Sequence, residues 1–266
     1  MEVVIQMKAA VYYSIGDIRV EERPKPVSAK DNMIVKIKCC SICGTDLKIL
    51  TSGNPRCHPP RIIGHEMVGT IIHKGQDVEG YEIGERITLA TTISCGKCSY
   101  CKIGLGNVCP DAKPISYEFD GAFAEYIEIP PAAIKGGNVI KVPESVPDEA
   151  AALCEPISCA INSHEIVNLK KGDTVVVVGG GPLGAIHAEL AKAEGAKQVV
   201  IVETCGVRLE LLRKRLKDII LVNGLKEDVQ GTVKEKTNGM GADTVIVCAP
   251  AKAAMEQSLN LARKGG

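Results

Sequence analysis

Apolar and polar positions follow different rules in the two halves of the chain. To about residue 145, β-branched and apolar residues gather in short runs, 33–39 and 66–73, with strand signals resuming over 121–129. Gly16, Gly53, Gly64, Gly75, Gly80 and Gly84 punctuate this half, and the pattern predicts short strands joined by turns. From about residue 148 the period lengthens. Residues 149–168 carry apolar side chains at helical spacing, 174–178 is a buried-strand run, and 182–194 is an Ala- and Leu-rich helix stopped by Gly195. A strand over 198–203, a helix over 207–216 and a strand over 243–248 continue the alternation, which indicates βαβ units on a parallel sheet. The boundary lies within 143–148, giving domains 1–147 and 148–266. Only the stretch 95–116 has neither period. It is dense in Cys, Lys, Gly and Pro, and it lacks the apolar residues to pack a core of its own.

Composition sharpens this picture. Apolar residues make up 45% and charged residues 24%, as in a globular protein. With no Trp and two Phe, Val, Ile, Leu and Ala must build the interior. Lys plus Arg and Asp plus Glu are both 32, with no basic block, so the footprint of a nucleic-acid binder is absent. No apolar run approaches the ~20 residues of a membrane span. Residues 1–8 lack the features of a secretory signal, and residues 1–6 read as an extension before the fold starts at Met7. These readings place the protein in the cytoplasm. There, twelve cysteines point to metal or catalysis rather than disulfides.

Four of them form Cys95-x2-Cys98-x2-Cys101-x7-Cys109, within a lobe over 95–110. Four thiolates close a tetrahedral structural zinc site, and Gly96, Gly104 and Gly106 allow the tight turns such wrapping needs. An iron–sulfur cluster or free thiols are the alternatives, and Pro110 directly after Cys109 is a feature shared with some cluster motifs. A second set of potential ligands is scattered. Cys43 lies in Cys43-Gly44-Thr45-Asp46 at a strand end, His65 and Glu66 open another strand, and Glu155-Pro156 falls in the helical segment past the boundary. Thiolate, imidazole and carboxylate all bind zinc, and three of them plus an exchangeable position is the catalytic arrangement. Singly, each has a plainer reading as a buried thiol, a satisfied histidine or a turn.

Gly179, Gly181 and Gly184 form G-x-G-x-x-G between the strand 174–178 and the helix opened by Pro182 and Leu183. This spacing permits a tight turn, close approach of a pyrophosphate and close helix–strand packing, with phosphates on the helix N-terminus. Glu203 ends the next strand, where an acid accepts ribose hydroxyls and repels a 2′-phosphate, which favours NAD over NADP. With these residues we group Arg208, early in the following helix.

Together the sequence resembles the zinc-containing medium-chain dehydrogenase/reductase family. The matching motifs are Cys43-Gly44-Thr45-Asp46, Gly64-His65-Glu66-x2-Gly69, Gly84-Glu85-Arg86-Ile87, the four-cysteine lobe with Gly104 and Asn107, residues 120–126, and the glycine crossover. Glu155-Pro156-Ile157-Ser158 looks like the polyol (sorbitol) dehydrogenase branch; L-threonine 3-dehydrogenases share the Glu-Pro but usually continue differently. The resemblance implies an α/β chain: a GroES-like β-barrel catalytic domain and a Rossmann parallel-sheet domain, with the active site in the cleft they form. It implies one structural zinc and one catalytic zinc on Cys43 and His65, with Glu66 and Glu155 sharing the remaining protein coordination. It also implies NAD, and Thr45 as the hydroxyl that carries the proton away from an alcohol substrate. Relatives often have His where Lys48 stands, and a solvated lysine is the expectation here. The family's members run longer, so the second domain reads as C-terminally truncated, and the full-length form as a homo-oligomer. Three functions follow: a secondary-alcohol or polyol dehydrogenase acting on a small molecule, a threonine-type dehydrogenase, or a non-catalytic zinc- and dinucleotide-binding remnant.

Overall fold

The computed structural model describes residues 5–266, so part of the expected N-terminal extension lies outside the described residues. The chain folds as two units, with the break between Glu155 and Pro156.

The first unit is antiparallel. Strands β1 (Gln6–Ser14) and β2 (Asp17–Pro24) form a hairpin that sequence patterning alone did not reveal, because both strands mix charge with apolar residues. β3 (Met33–Ser41) leads to helix α1 (Gly44–Ser52), the short β4 (Arg61–Ile62) and β5 (Glu66–Lys74). There follow β6 (Arg86–Leu89), β7 (Thr92–Ile93), the one-turn α2 (Ser99–Lys102), β8 (Lys113–Pro114), β9 (Tyr126–Ile129), α3 (Pro131–Lys135), β10 (Val139–Lys141) and α4 (Asp148–Ala152). One sheet runs β2-β1-β4 and a second β10-β6-β5-β3-β9. Alternation along β3 and β5 turns Met33, Val35, Met67 and Ile71 into a core completed by Ile87 and Ile127. The β3–β5 ladder is irregular between Ile37 and Cys39, a bulge that re-aims the last residues of β3 before the chain enters α1.

Helix α5 (Cys154–Val167) begins in the first unit and continues into the second; the helical stretch expected over 149–168 is in fact interrupted at Leu153. The second unit alternates β11 (Thr174–Val178), α6 (Pro182–Ala193), β12 (Gln198–Glu203), α7 (Gly206–Arg215), β13 (Ile220–Asn223), α8 (Val229–Lys236), β14 (Thr244–Val247) and α9 (Lys252–Ser258). All pairings are parallel, in the order β13-β12-β11-β14. β11 is an inner strand of this order and is buried along its whole length, which is why it reads as an unbroken valine run. Helix α8 carries too few apolar residues to stand out in the sequence, and β13, though mostly apolar, is too short to signal a strand by itself.

Candidate metal centres and dinucleotide site

The four-cysteine lobe is built by local chain geometry. Cys98 caps α2, where its sulfur accepts the Cys101 N–H at 3.5 Å, and the chain returns through a 3-10 turn, Gly106–Val108, to Cys109. Cys98 Sγ lies 3.4 Å from Cys101 and 3.8 Å from Cys109, and Cys95 Sγ lies 3.9 Å from Cys101. A tetrahedron with metal–sulfur bonds of ~2.3 Å has an edge of ~3.8 Å, so the spacing fits zinc. The backbone N–H groups of Lys97 and Cys98 draw the Cys95 thiol down to about 6. The Cys95 N–H favours ionisation of Cys109, but burial and the adjacent sulfurs outweigh it and push that thiol to about 11. Without a cation the sulfurs cannot all be thiolates together.

The second centre is assembled from separate elements. Cys43 is the N-cap of α1; His65 precedes β5 and Glu66 is its first residue. The ligand atoms of these three lie within 4.8 Å of one another. Glu155, on the first turn of α5, stands outside this set, though its charge is felt at His65. Burial works against protonation of His65, but a hydrogen bond with Cys43 and the charges of Asp46, Cys43 and Glu155 raise it to about 9.

Two supporting side chains were not legible as site residues from the sequence. Asp46 is 4% exposed; its Oδ2 accepts the Cys43 N–H at 2.9 Å, and Oδ1, otherwise unpartnered, lies 3.7 Å from His65 Nδ1. Burial raises the Asp46 pKa, against these donors. Ser41 donates its hydroxyl to Glu66 Oε2. The capping spacing of Asp46 after Cys43 is a signal in the sequence; for Ser41 only the strand register supplies one. Thr45 lies inside the first turn of α1, whose cap is made by Cys43 and Asp46. Lys48 is exposed, as expected.

In the second unit, the chain leaves β11 through Gly179, whose φ of +107° is open to glycine, and a Cβ on Gly184 would lie 1.9 Å from Gly179 O. A Cβ on Gly181 would meet nothing within 4 Å, which leaves the backbone open on the side where a pyrophosphate approaches. Pro182 and Leu183 open α6 beside it. Glu203 is 5% exposed and does more than the sequence suggests. Its Oε2 accepts the Gly180 N–H at 2.9 Å, and its Oε1 accepts the N–H groups of Thr204 and Cys205 at 2.7 and 2.8 Å. Burial opposes its ionisation, but these donors and Arg208, whose Nη1 is 3.5 Å away, hold the carboxyl below its usual range. Glu203 thus fixes the glycine loop to the end of β12.

His164 and His187 are paired with each other. His164 Nδ1 lies 2.6 Å from Glu194 Oε2, and its Nε2 lies 3.0 Å from His187 Nδ1. None of the twelve cysteines is joined in a disulfide.

Residues 29–144 match the alcohol dehydrogenase GroES-like domain, and residues 182–266 match the zinc-binding dehydrogenase family. A sorbitol dehydrogenase of Halalkalibacterium halodurans is 34% identical over 98% of this chain and 75% of its own length. The chain belongs to the zinc-containing medium-chain dehydrogenase/reductase family. It is an oxidoreductase of the alcohol and polyol dehydrogenase class, with zinc and a nicotinamide dinucleotide as cofactors. An L-threonine 3-dehydrogenase of Pyrococcus abyssi is 37% identical over 91% of this chain and 68% of that protein. The NADP-bound structure of a protein described as a zinc-binding dehydrogenase from Sinorhizobium meliloti superposes with a TM-score of 0.90 at 31% identity, covering 98% of this chain and 75% of that one. The resemblance and the fold class read from the sequence, a GroES-like domain with a Rossmann parallel sheet in a chain shorter than its relatives, are therefore correct. No helix among the described residues is long and apolar enough to cross a membrane.

Proposed function

We propose that the protein oxidises a small secondary alcohol or polyol with NAD as hydride acceptor, at a zinc centre held by Cys43, His65 and Glu66. The convergence of thiol, imidazole and carboxylate within 4.8 Å carries this reading. Zinc there supplies Lewis acidity, which lowers the pKa of a substrate hydroxyl. The chain does the rest. Cys43 contributes a thiolate anchored by the start of α1. Asp46, opposite His65 Nδ1, favours the tautomer that leaves Nε2 for the metal. Glu66 is the third protein ligand, and Glu155 is the carboxylate that exchanges with it or with solvent. Thr45, two residues past Cys43, takes the alcohol proton and passes it on.

In the second unit, Gly179, Gly181 and Gly184 with the start of α6 hold the pyrophosphate, and Glu203 with Arg208 faces the ribose. The negative charge of Glu203 disfavours a 2′-phosphate and so supports NAD. Cys95, Cys98, Cys101 and Cys109 hold a structural zinc. We further propose that the expected boundary of domains 1–147 and 148–266 falls at the start of the helical stretch that holds the break between Glu155 and Pro156, and we propose a cytoplasmic location and a homo-oligomer.

The test is a screen of NAD reduction with sorbitol, other sugar alcohols, threonine and simple secondary alcohols, alongside metal analysis. Turnover of polyols with two zinc ions per chain supports the proposal. Preference for threonine, the second reading favoured by the Pyrococcus abyssi relative, replaces its substrate class. One tightly held ion and no turnover would mark a non-catalytic remnant.

A further inference from the structure

We propose that Ser41 is the positioning residue that sets the orientation of Glu66 at the Cys43/His65/Glu66 centre; this rests on reading that trio as a metal site. Ser41 and Glu66 face each other as the last pair of the antiparallel β3–β5 ladder. The bulge between Ile37 and Cys39 lies just before this pair, so the register at the strand end, not a loop, brings the hydroxyl to the carboxylate. Ser41 Oγ donates to Glu66 Oε2, and Glu66 is 5% exposed.

Leaving water costs a buried carboxylate several hydrogen bonds, and the hydroxyl restores one. A glutamate has three side-chain torsions, and fixing one oxygen against β3 reduces the positions the other can take. Ser41 therefore makes Glu66 a preorganised ligand rather than a mobile acid.

The experiment follows zinc release from the full chain to a chromogenic chelator, with cobalt-substituted protein to report coordination at this centre. Wild-type protein is expected to release two ions in separate phases. In Ser41→Ala the phase assigned by Cys43→Ala to the trio should accelerate about 10- to 100-fold, the range for lost supporting contacts at metal ligands. The four-cysteine phase should not move, and the cobalt visible spectrum should shift. Ser41→Thr, which keeps the hydroxyl, should restore the wild-type rate. In a Glu66→Gln background, Ser41→Ala should have little further effect, because its action runs through Glu66. Release from Ser41→Ala at the wild-type rate, or equal acceleration with and without Glu66, overturns the proposal. A wild-type chain that binds one ion, unchanged by Cys43→Ala, overturns the reading of the centre itself and is distinguished by that stoichiometry.

Discussion

The two metal sites of the first unit solve the same problem in opposite ways. The four-cysteine lobe draws all its ligands from one short segment, and turns with backbone N–H donors place them. It is a closed set: four sulfurs at tetrahedral spacing leave no position for a fifth partner. The Cys43 centre takes one ligand from the end of β3 and the cap of α1, and two from the start of β5. Its ligands are of three types, and it is surrounded by Asp46, Ser41 and Glu155. A closed local site holds structure. An assembled site with three protein ligands leaves the position that, on the proposed function, a substrate would take.

The sharpest way to break this contrast is Cys43→Ala. Turnover should fall to background in the NAD-reduction assay, the bound zinc should drop from two ions to one, and the circular dichroism spectrum should be retained. Retained alcohol oxidation would show that the assembled centre is not the reacting one. Cys98→Ser should do the converse. It should remove the lobe's ion and open residues 95–113 to limited proteolysis, with a lower Tm, while the visible spectrum of cobalt at the Cys43 centre persists. Simultaneous loss of both ions would mean that the two sites are not independent.

The contrast also explains what was legible in the sequence. The lobe was fully readable because its ligands are neighbours along the chain. β11 and β12 were predicted with the bounds the structure shows, since buried parallel strands are uniform valine and isoleucine runs. The Cys43 centre was legible only through family resemblance; no local pattern says that residue 43 meets residue 65. Asp46 had only its capping spacing as a signal and Ser41 no local one, because their roles depend on burial and register. For the same reason β1 and β2 were missed: their burial comes from neighbours, not from their own periodicity; β13 was missed because its apolar run is short.

The dinucleotide site lies between the two extremes. Its glycines are local, but Glu203 ties the loop after β11 to the end of β12. Glu203→Ala should raise the KM for NAD about tenfold or more, since charge-assisted bonds to Gly180, Thr204 and Cys205 are lost as well as any ribose contact. It should also narrow the preference for NAD over NADP. Steady-state kinetics with both cofactors tests this. An unchanged KM would confine Glu203 to holding β12 and its neighbours together.

The smallest effect comes from the buried histidine pair of the second unit, a polar cluster that closes without any cation. His164 and His187 are 2% and 5% exposed. One assignment satisfies both contacts: His164 Nδ1–H donates to Glu194, and His187 Nδ1–H donates to the His164 Nε2 lone pair. Burial, with the neighbouring His164, lowers His187 to about 4. Its folded pKa is thus below the unfolded value of about 6.5, so the unfolded chain binds the extra proton first. The stability tied to neutral His187 is complete above pH 6.5 and falls as the pH drops toward 4, by about 3 kcal/mol. His187→Gln, whose amide can still donate to His164, should flatten the pH dependence by that amount between pH 6.5 and 4. Urea unfolding of the two proteins across this range, with zinc in excess, reads the difference directly. Parallel curves would mean that His187 takes up its proton as readily in the folded chain as in the unfolded one.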